Sequence, residues 1–122
     1  MTQTTGADII ARALAAAGAS RAFGVPGGEV LALMDGLDRA GVGFTLTKHE
    51  NAAGFMAEGH WHATGDLPVL VATIGPGVAN AVNVIANAHQ DRVPLIFLTG
   101  CVDADVAETY THQVFDHQAL LR

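Results

Sequence analysis

Charge is scarce in this chain. Only 15% of its 122 residues are Asp, Glu, Lys or Arg, and 6 basic residues face 12 acidic ones. The formal net charge of -6 argues against an electrostatic hold on nucleic-acid phosphates or an anionic lipid surface. Cysteine occurs once, at Cys101, so neither an internal disulfide nor a Cys-based metal cluster is available. The lone thiol is expected to be a buried small residue rather than a reactive group. Long apolar runs are also missing: stretches such as PVLVATIG (68–75) fall far short of the roughly 20 residues a membrane crossing needs. The opening MTQTTGADII has no basic region followed by an apolar core. Together these absences predict a cytoplasmic protein. Half of the residues are hydrophobic, enough for residues 1–122 to build one domain around a core of their own.

What is present is a regular alternation. Four runs rich in Val, Ile, Leu and Phe, RAFGVP (21–26), GFTLTK (43–48), PVLVATIG (68–75) and PLIFLTG (94–100), read as strands. Helices are predicted over 6–17, opened by Thr5 with Asp8 three residues on and stopped at Gly18, and over 29–40, stopped at Gly41. Two more are predicted over 50–63 and 77–90. Near-continuous apolar strands joined by crossover helices make an α/β fold, a parallel sheet with helices on both faces. Right-handed crossovers then deliver every strand's C-terminal end to one edge, where the turns GVPGG, KHEN, TIGPG and LTGCVD should meet. A site is expected at that edge.

One junction there concentrates titratable groups. Lys48, His49 and Glu50 stand where the second strand gives way to a helix of small residues. The metalloprotease pattern HExxH is absent, because residue 53 is Ala, and His60 and His62 fall on different helix faces. The turns GVPGGEV and GPGVAN match neither GxGxxG nor GxxxxGK[ST]. They are open to three readings: anion binding at helix starts, close helix–sheet packing, or a backbone-lined wall that a flat ligand can approach. Glu50 at the first turn of a helix is welcome to the dipole in any case. The small residues Ala53, Gly54 and Ala57 behind it, however, permit tight packing that draws it from water, and a dry carboxylate can share a proton with a nitrogen base.

The stretches AFGVPGGEVLALMDGL, TLTKHENAAGFMAEGHWHATG, VATIGPGVANAVNVIANAHQDRVPLIFLTG and HQVFDHQALLR resemble, in order and spacing, the N-terminal pyrimidine-binding domain of thiamine-diphosphate enzymes, in particular the acetolactate synthase and pyruvate oxidase group. The resemblance implies that Glu50 hydrogen-bonds a ring nitrogen of the cofactor's aminopyrimidine and promotes its imino form, which then takes the thiazolium proton. It also implies that Val25 and Pro26 contact the pyrimidine, that Thr73, Pro76 and Asn80 line the ring pocket, and that Gly75 and Gly77 shape the turn. Gly27, Gly28 and Gln113 are assigned to the substrate end. For Asn80 the alternative is membership of an exposed stripe with Asn83 and Asn87. His49 is expected to support the turn, and Lys48 and Asn51 to be solvated or at an interface.

The same resemblance implies a 2-oxo acid substrate such as pyruvate, carboligated to acetolactate. It also implies Mg2+ and the diphosphate held by a second thiamine domain, contributed by another subunit of a homodimer or homotetramer. No GDG motif followed by Asn occurs in these residues, and FDHQALLR resembles a stretch normally continued by a further helix and strand. The chain is therefore expected to be a C-terminally incomplete part of a longer enzyme. FAD would belong to a middle domain and is not read from these residues. A non-catalytic pyrimidine-domain module and a flavodoxin-like nucleotide-binding domain stand as alternatives.

Overall fold

The computed structural model describes residues 4–122. Local chemistry sets the first helix. Thr5 accepts from the Asp8 N–H while Asp8 accepts from the Thr5 N–H, and this reciprocal cap opens α1 (Gly6–Ala16). The chain continues through β1 (Arg21–Gly24), a single 3₁₀ turn (Gly28–Val30) and α2 (Leu31–Arg39) to β2 (Gly43–Leu46). After these come α3 (Glu50–Thr64), β3 (Val69–Ala72), α4 (Pro76–Gln90), β4 (Ile96–Thr99) and the short α5 (His117–Leu120). Each strand is shorter than the apolar run that signals it. β1 stops at Gly24 because Pro26 has no N–H to extend a ladder, and the first turn of the expected second helix tightens to 3₁₀ before α2 proper begins.

All pairings are parallel and the strand order is β2-β1-β3-β4. Alternate residues of the central strands face opposite sides. Ala22, Val69 and Val71 join Ala11, Leu14 and Leu37 in a core beneath α1 and α2. Phe23 and Leu70 join Ala53, Ala57, Ala81 and Val84 in a second core beneath α3 and α4. Every residue of β3 is buried, as a strand covered on both faces requires. The α/β class and the two helical layers are those the sequence predicts.

The second layer is the tighter in one respect. A Cβ on Gly54 would stand 2.3 Å from Val84 Cγ1, so the two helices touch where α3 has no side chain. Asn80, Asn83 and Asn87, in step along one face of α4, each donate to α3: to Glu50 Oε2 at 2.9 Å, Asn51 Oδ1 at 3.1 Å and Glu58 Oε1 at 2.8 Å. At the opposite rim, Ser20 Oγ lies 3.1 Å from His60 Nε2 and donates to Asp66, tying the entry of β1 to the end of α3 and the approach to β3.

At the surface, the Thr5 backbone N–H, the Arg39 guanidinium and the Thr5 hydroxyl together push the Asp8 carboxyl down from its ordinary 3.8 to about 2. A carboxyl lowered in the folded state stabilises the fold above the unfolded value and loses that contribution as pH falls through the folded one. An acid-unfolding curve is therefore expected to drop more steeply between about pH 4 and pH 2 in the wild type than in Asp8→Asn. Gly54→Ala is expected to destabilise by about 1–3 kcal/mol in denaturant unfolding, since Val84 or the α3–α4 spacing must give.

Candidate functional site

The turn after β2 builds the site from short-range bonds. Thr47 N–H donates to Gly24 O at 2.9 Å, carrying the β1–β2 ladder one residue past β2. Thr47 Oγ1 then donates to His49 O at 3.1 Å. His49, extended at φ -158°, ψ 141°, caps α3 through its ring, with Nδ1 accepting the Asn51 N–H at 3.1 Å. That is the turn-supporting role expected of it. Glu50 is consequently the first residue of α3, at the positive end of the helix dipole. Packing of Ala53, Gly54 and Ala57 against α4 leaves the Glu50 side chain only 6% exposed, as the small-residue spacing predicts.

The two carboxylate oxygens have different surroundings. Oε2 accepts from Asn80 Nδ2. Oε1 lies beside the next turn, where a Cβ on Gly77 would stand 3.3 Å from it and 3.0 Å from Thr73 Oγ1. Space for a flat ligand against Oε1 thus depends on that residue having no side chain. Asn80 is therefore a partner of Glu50, and the alternative stripe also holds in part: Asn80 and Asn83 are exposed and Asn87 is half-buried, and Asn83 and Asn87 too are bonded across the helix pair, because α3 lies close enough for short amides to span it.

The remaining turns converge on the same rim. A Cβ on Gly27 would collide with Thr73 Cγ2 at 2.3 Å, so the turns after β1 and β3 touch. Thr99 Oγ1 donates to Thr73 O at 3.1 Å, and a Cβ on Gly100 would approach Glu29 Cβ at 2.7 Å, which brings in the end of β4. Val25 and Pro26 sit half-buried in the first of these turns, Pro76 is exposed at the start of α4, and Gly28 faces open space. Gln113 is exposed, with its carbonyl against Gly75, and it lines a cavity of about 270 Å³ with Glu29, Ile74, Cys101 and Tyr110. A larger cavity of about 500 Å³ lies around Asp8 and Arg39 on the α1–α2 layer, across the sheet from Glu50.

Several features escape the sequence reading. Cys101 is exposed at this rim, a correction to its expected burial, because β4 ends at Thr99 and the chain leaves the sheet there. Tyr110 and His117 reach the rim through a segment with no periodic pattern, and Glu29 reaches it from the 3₁₀ turn after β1. Glu58 is a second buried carboxylate, 5% exposed, whose Oε2 has no hydrogen-bond partner among the described residues. Its signal was its place four residues after Gly54, on the packed face. Among the described residues no three His, Cys, Asp or Glu side chains converge as metal ligands, and no helix is long and apolar enough to cross a membrane.

The strand order β2-β1-β3-β4 also occurs in flavodoxin-like sheets, so topology alone does not choose between ligands. Comparison with known proteins does. Residues 4–120 match the family model described as thiamine pyrophosphate enzyme, N-terminal TPP binding domain. The chain is 42% identical over 103 residues to acetolactate synthase isozyme 3 large subunit of Escherichia coli, covering 84% of this chain and 18% of that protein. It is 40% identical over 115 residues to an acetolactate synthase of Mycobacterium avium (93% and 18%) and 41% identical over 113 residues to the acetolactate synthase large subunit of Corynebacterium glutamicum (92% and 18%). It spans 18% of the length of each of these relatives.

Removing the Asn80 donor leaves Glu50 Oε2 buried without a partner. Asn80→Ala is expected to lower unfolding stability by about 1–3 kcal/mol, measured by denaturant titration. The penalty should largely disappear when Glu50→Leu is made in the same chain, because the stranded acceptor is then gone.

Proposed function

The chain belongs to the thiamine pyrophosphate enzymes, as their N-terminal TPP binding domain, and from that premise we propose that it holds the aminopyrimidine ring of thiamine diphosphate against Glu50 in an acetolactate synthase-like enzyme acting on 2-oxo acids such as pyruvate. The observation that carries this reading is the buried Glu50 carboxylate, fixed through Oε2 by Asn80, with Oε1 beside the side-chain-free Gly77. The residues present fit the group: a buried carboxylate at a helix start, with one oxygen held by an amide and the other beside a glycine whose Cβ would crowd it.

In this reading Glu50 Oε1 takes the ring nitrogen. Asn80 holds the other oxygen so that the carboxylate does not rotate, and it supplies an amide rather than a competing charge. Exclusion of water strengthens the contact, since a proton shared between a carboxylate and a weak ring base is favourable only where solvent does not intervene. Val25 and Pro26 would contact the ring, and Thr73, Pro76 and Asn80 would line its pocket. Gly27, Gly28 and Gln113 border the substrate end. When bound, thiamine diphosphate supplies a carbon nucleophile able to attack a 2-oxo acid, and the chain's part is to bind, orient and shelter it.

Mg2+ and the diphosphate are assigned to a domain of another subunit, so the working unit is a homodimer or a larger even assembly. The outer sides of α3 and α4 are the surfaces we assign to that contact, and they include exposed Phe55 and Met56. A cytoplasmic setting and decarboxylation of pyruvate followed by carboligation complete the proposal. The name shared by the relatives, acetolactate synthase, supports the reaction.

Glu50→Gln tests it. The variant keeps shape and burial but removes the carboxylate. Exchange of the thiazolium C2 proton of bound thiamine diphosphate, followed by NMR in deuterated buffer, is expected to slow by about 10²–10⁴-fold. Exchange at the wild-type rate in a folded, cofactor-bound variant would overturn the assignment.

A further inference from the structure

We propose that His117 is a positioning residue for the cofactor turn: its imidazole accepts the Gly75 N–H and seats the segment after β4 on the start of α4. Its consequence for cofactor binding rests on the reading above; the contact itself does not. Gly75 N–H donates to His117 Nε2 at 3.2 Å, across 42 positions of sequence. Gly75 has φ 64°, ψ -109°, and precedes α4 with no side-chain cap of its own. Its carbonyl accepts from Ala79 N–H at 3.1 Å, opening the α4 ladder. From the other side, the Gln113 carbonyl stands 2.3 Å from where a Cβ on Gly75 would be, with Gln113 itself left-handed at φ 60°.

Residues 113 and 117 therefore grip one peptide from two directions. Two residues on is Gly77, beside Glu50 Oε1, and five residues on is Asn80, bonded to Oε2. The orientation of the Gly75 peptide sets where α4 begins and so where both of these stand.

The acceptor is the unusual part. A neutral imidazole has one nitrogen that donates and one that accepts, so Nε2 accepting places the proton on Nδ1. An imidazolium donates from both nitrogens, and two N–H groups facing each other cannot bond.

The groups around the ring are few. Phe115 packs edge-on at 4.8 Å between ring centroids. A cavity of about 240 Å³ beside the ring also takes in Cys101, from the chain leaving β4, and Asp116. Those are the titratable neighbours, and the Asp116 carboxylate already accepts from the Ala119 N–H at 2.9 Å.

The test is read on the 15N-labelled protein by NMR, as hydrogen-exchange protection of the Gly75 amide. His117→Ala is expected to lower it by roughly fivefold, whereas His117→Gln, whose amide oxygen accepts, should keep it. In the assembled full-length enzyme the dissociation constant for thiamine diphosphate should follow the same pattern.

Gly75 protection unchanged in His117→Ala, or lost equally in His117→Gln, overturns the proposal. So does a thiamine diphosphate affinity of the full-length enzyme that is indifferent to the loss of protection. Absence of thiamine diphosphate binding by the full-length enzyme would instead count against the cofactor reading, with Gly75 exchange still deciding whether His117 holds the turn.

Discussion

Contact between α3 and α4 at Gly54 is the constraint from which the site follows. With no side chain there, Val84 fills the gap and the helices close to within reach of short amides. Closure is what takes the Glu50 carboxylate out of water, and it is also what allows Asn80 to satisfy one of its oxygens. The choice of an amide matters. A Lys or Arg in that place would bind the carboxylate as an ion pair, and an apolar residue would leave one oxygen without its partner at a cost of about 1–3 kcal/mol. Asparagine satisfies one oxygen and leaves the other open.

The sheet then decides where this carboxylate looks. Parallel strands in the order β2-β1-β3-β4 bring four strand ends to one rim, and the turns after β1, β3 and β4 each bring glycine to it. Gly27 against Thr73, Gly77 against Glu50 and Gly100 against Glu29 are backbone-to-side-chain approaches that added methyl groups would prevent. The same strand order serves unrelated ligands elsewhere. Function here lies in what those turns carry, not in the order of the strands.

Features governed by neighbours in sequence were the legible ones. The Thr5–Asp8 cap, the helix stops at Gly18, Gly41 and Gly65, and the two-sided burial of β3 all follow from residues within a turn or a strand length of each other. Burial of Glu50 was legible at one remove, because Ala53, Gly54 and Ala57 mark the packed face. The pairing of particular asparagines with particular α3 residues was not. It depends on the rotation and depth at which two helices meet, which residue type does not fix. Residues 100–117 were least legible. They lack periodicity, and their contacts, such as His117 with Gly75, join positions far apart in the chain. Cys101 fell to the same cause: chemical type suggested burial, and the end of β4 placed it outside.

The joint among Ser20, His60 and Asp66 lies at the rim from which the strands depart, and the buried Glu50 carboxylate lies at the rim where they finish. The two thus draw on disjoint sets of side chains separated by the length of a strand. A substitution that loosens the one joint therefore leaves the geometry around the other in place, because sites this far apart with no shared partners act independently.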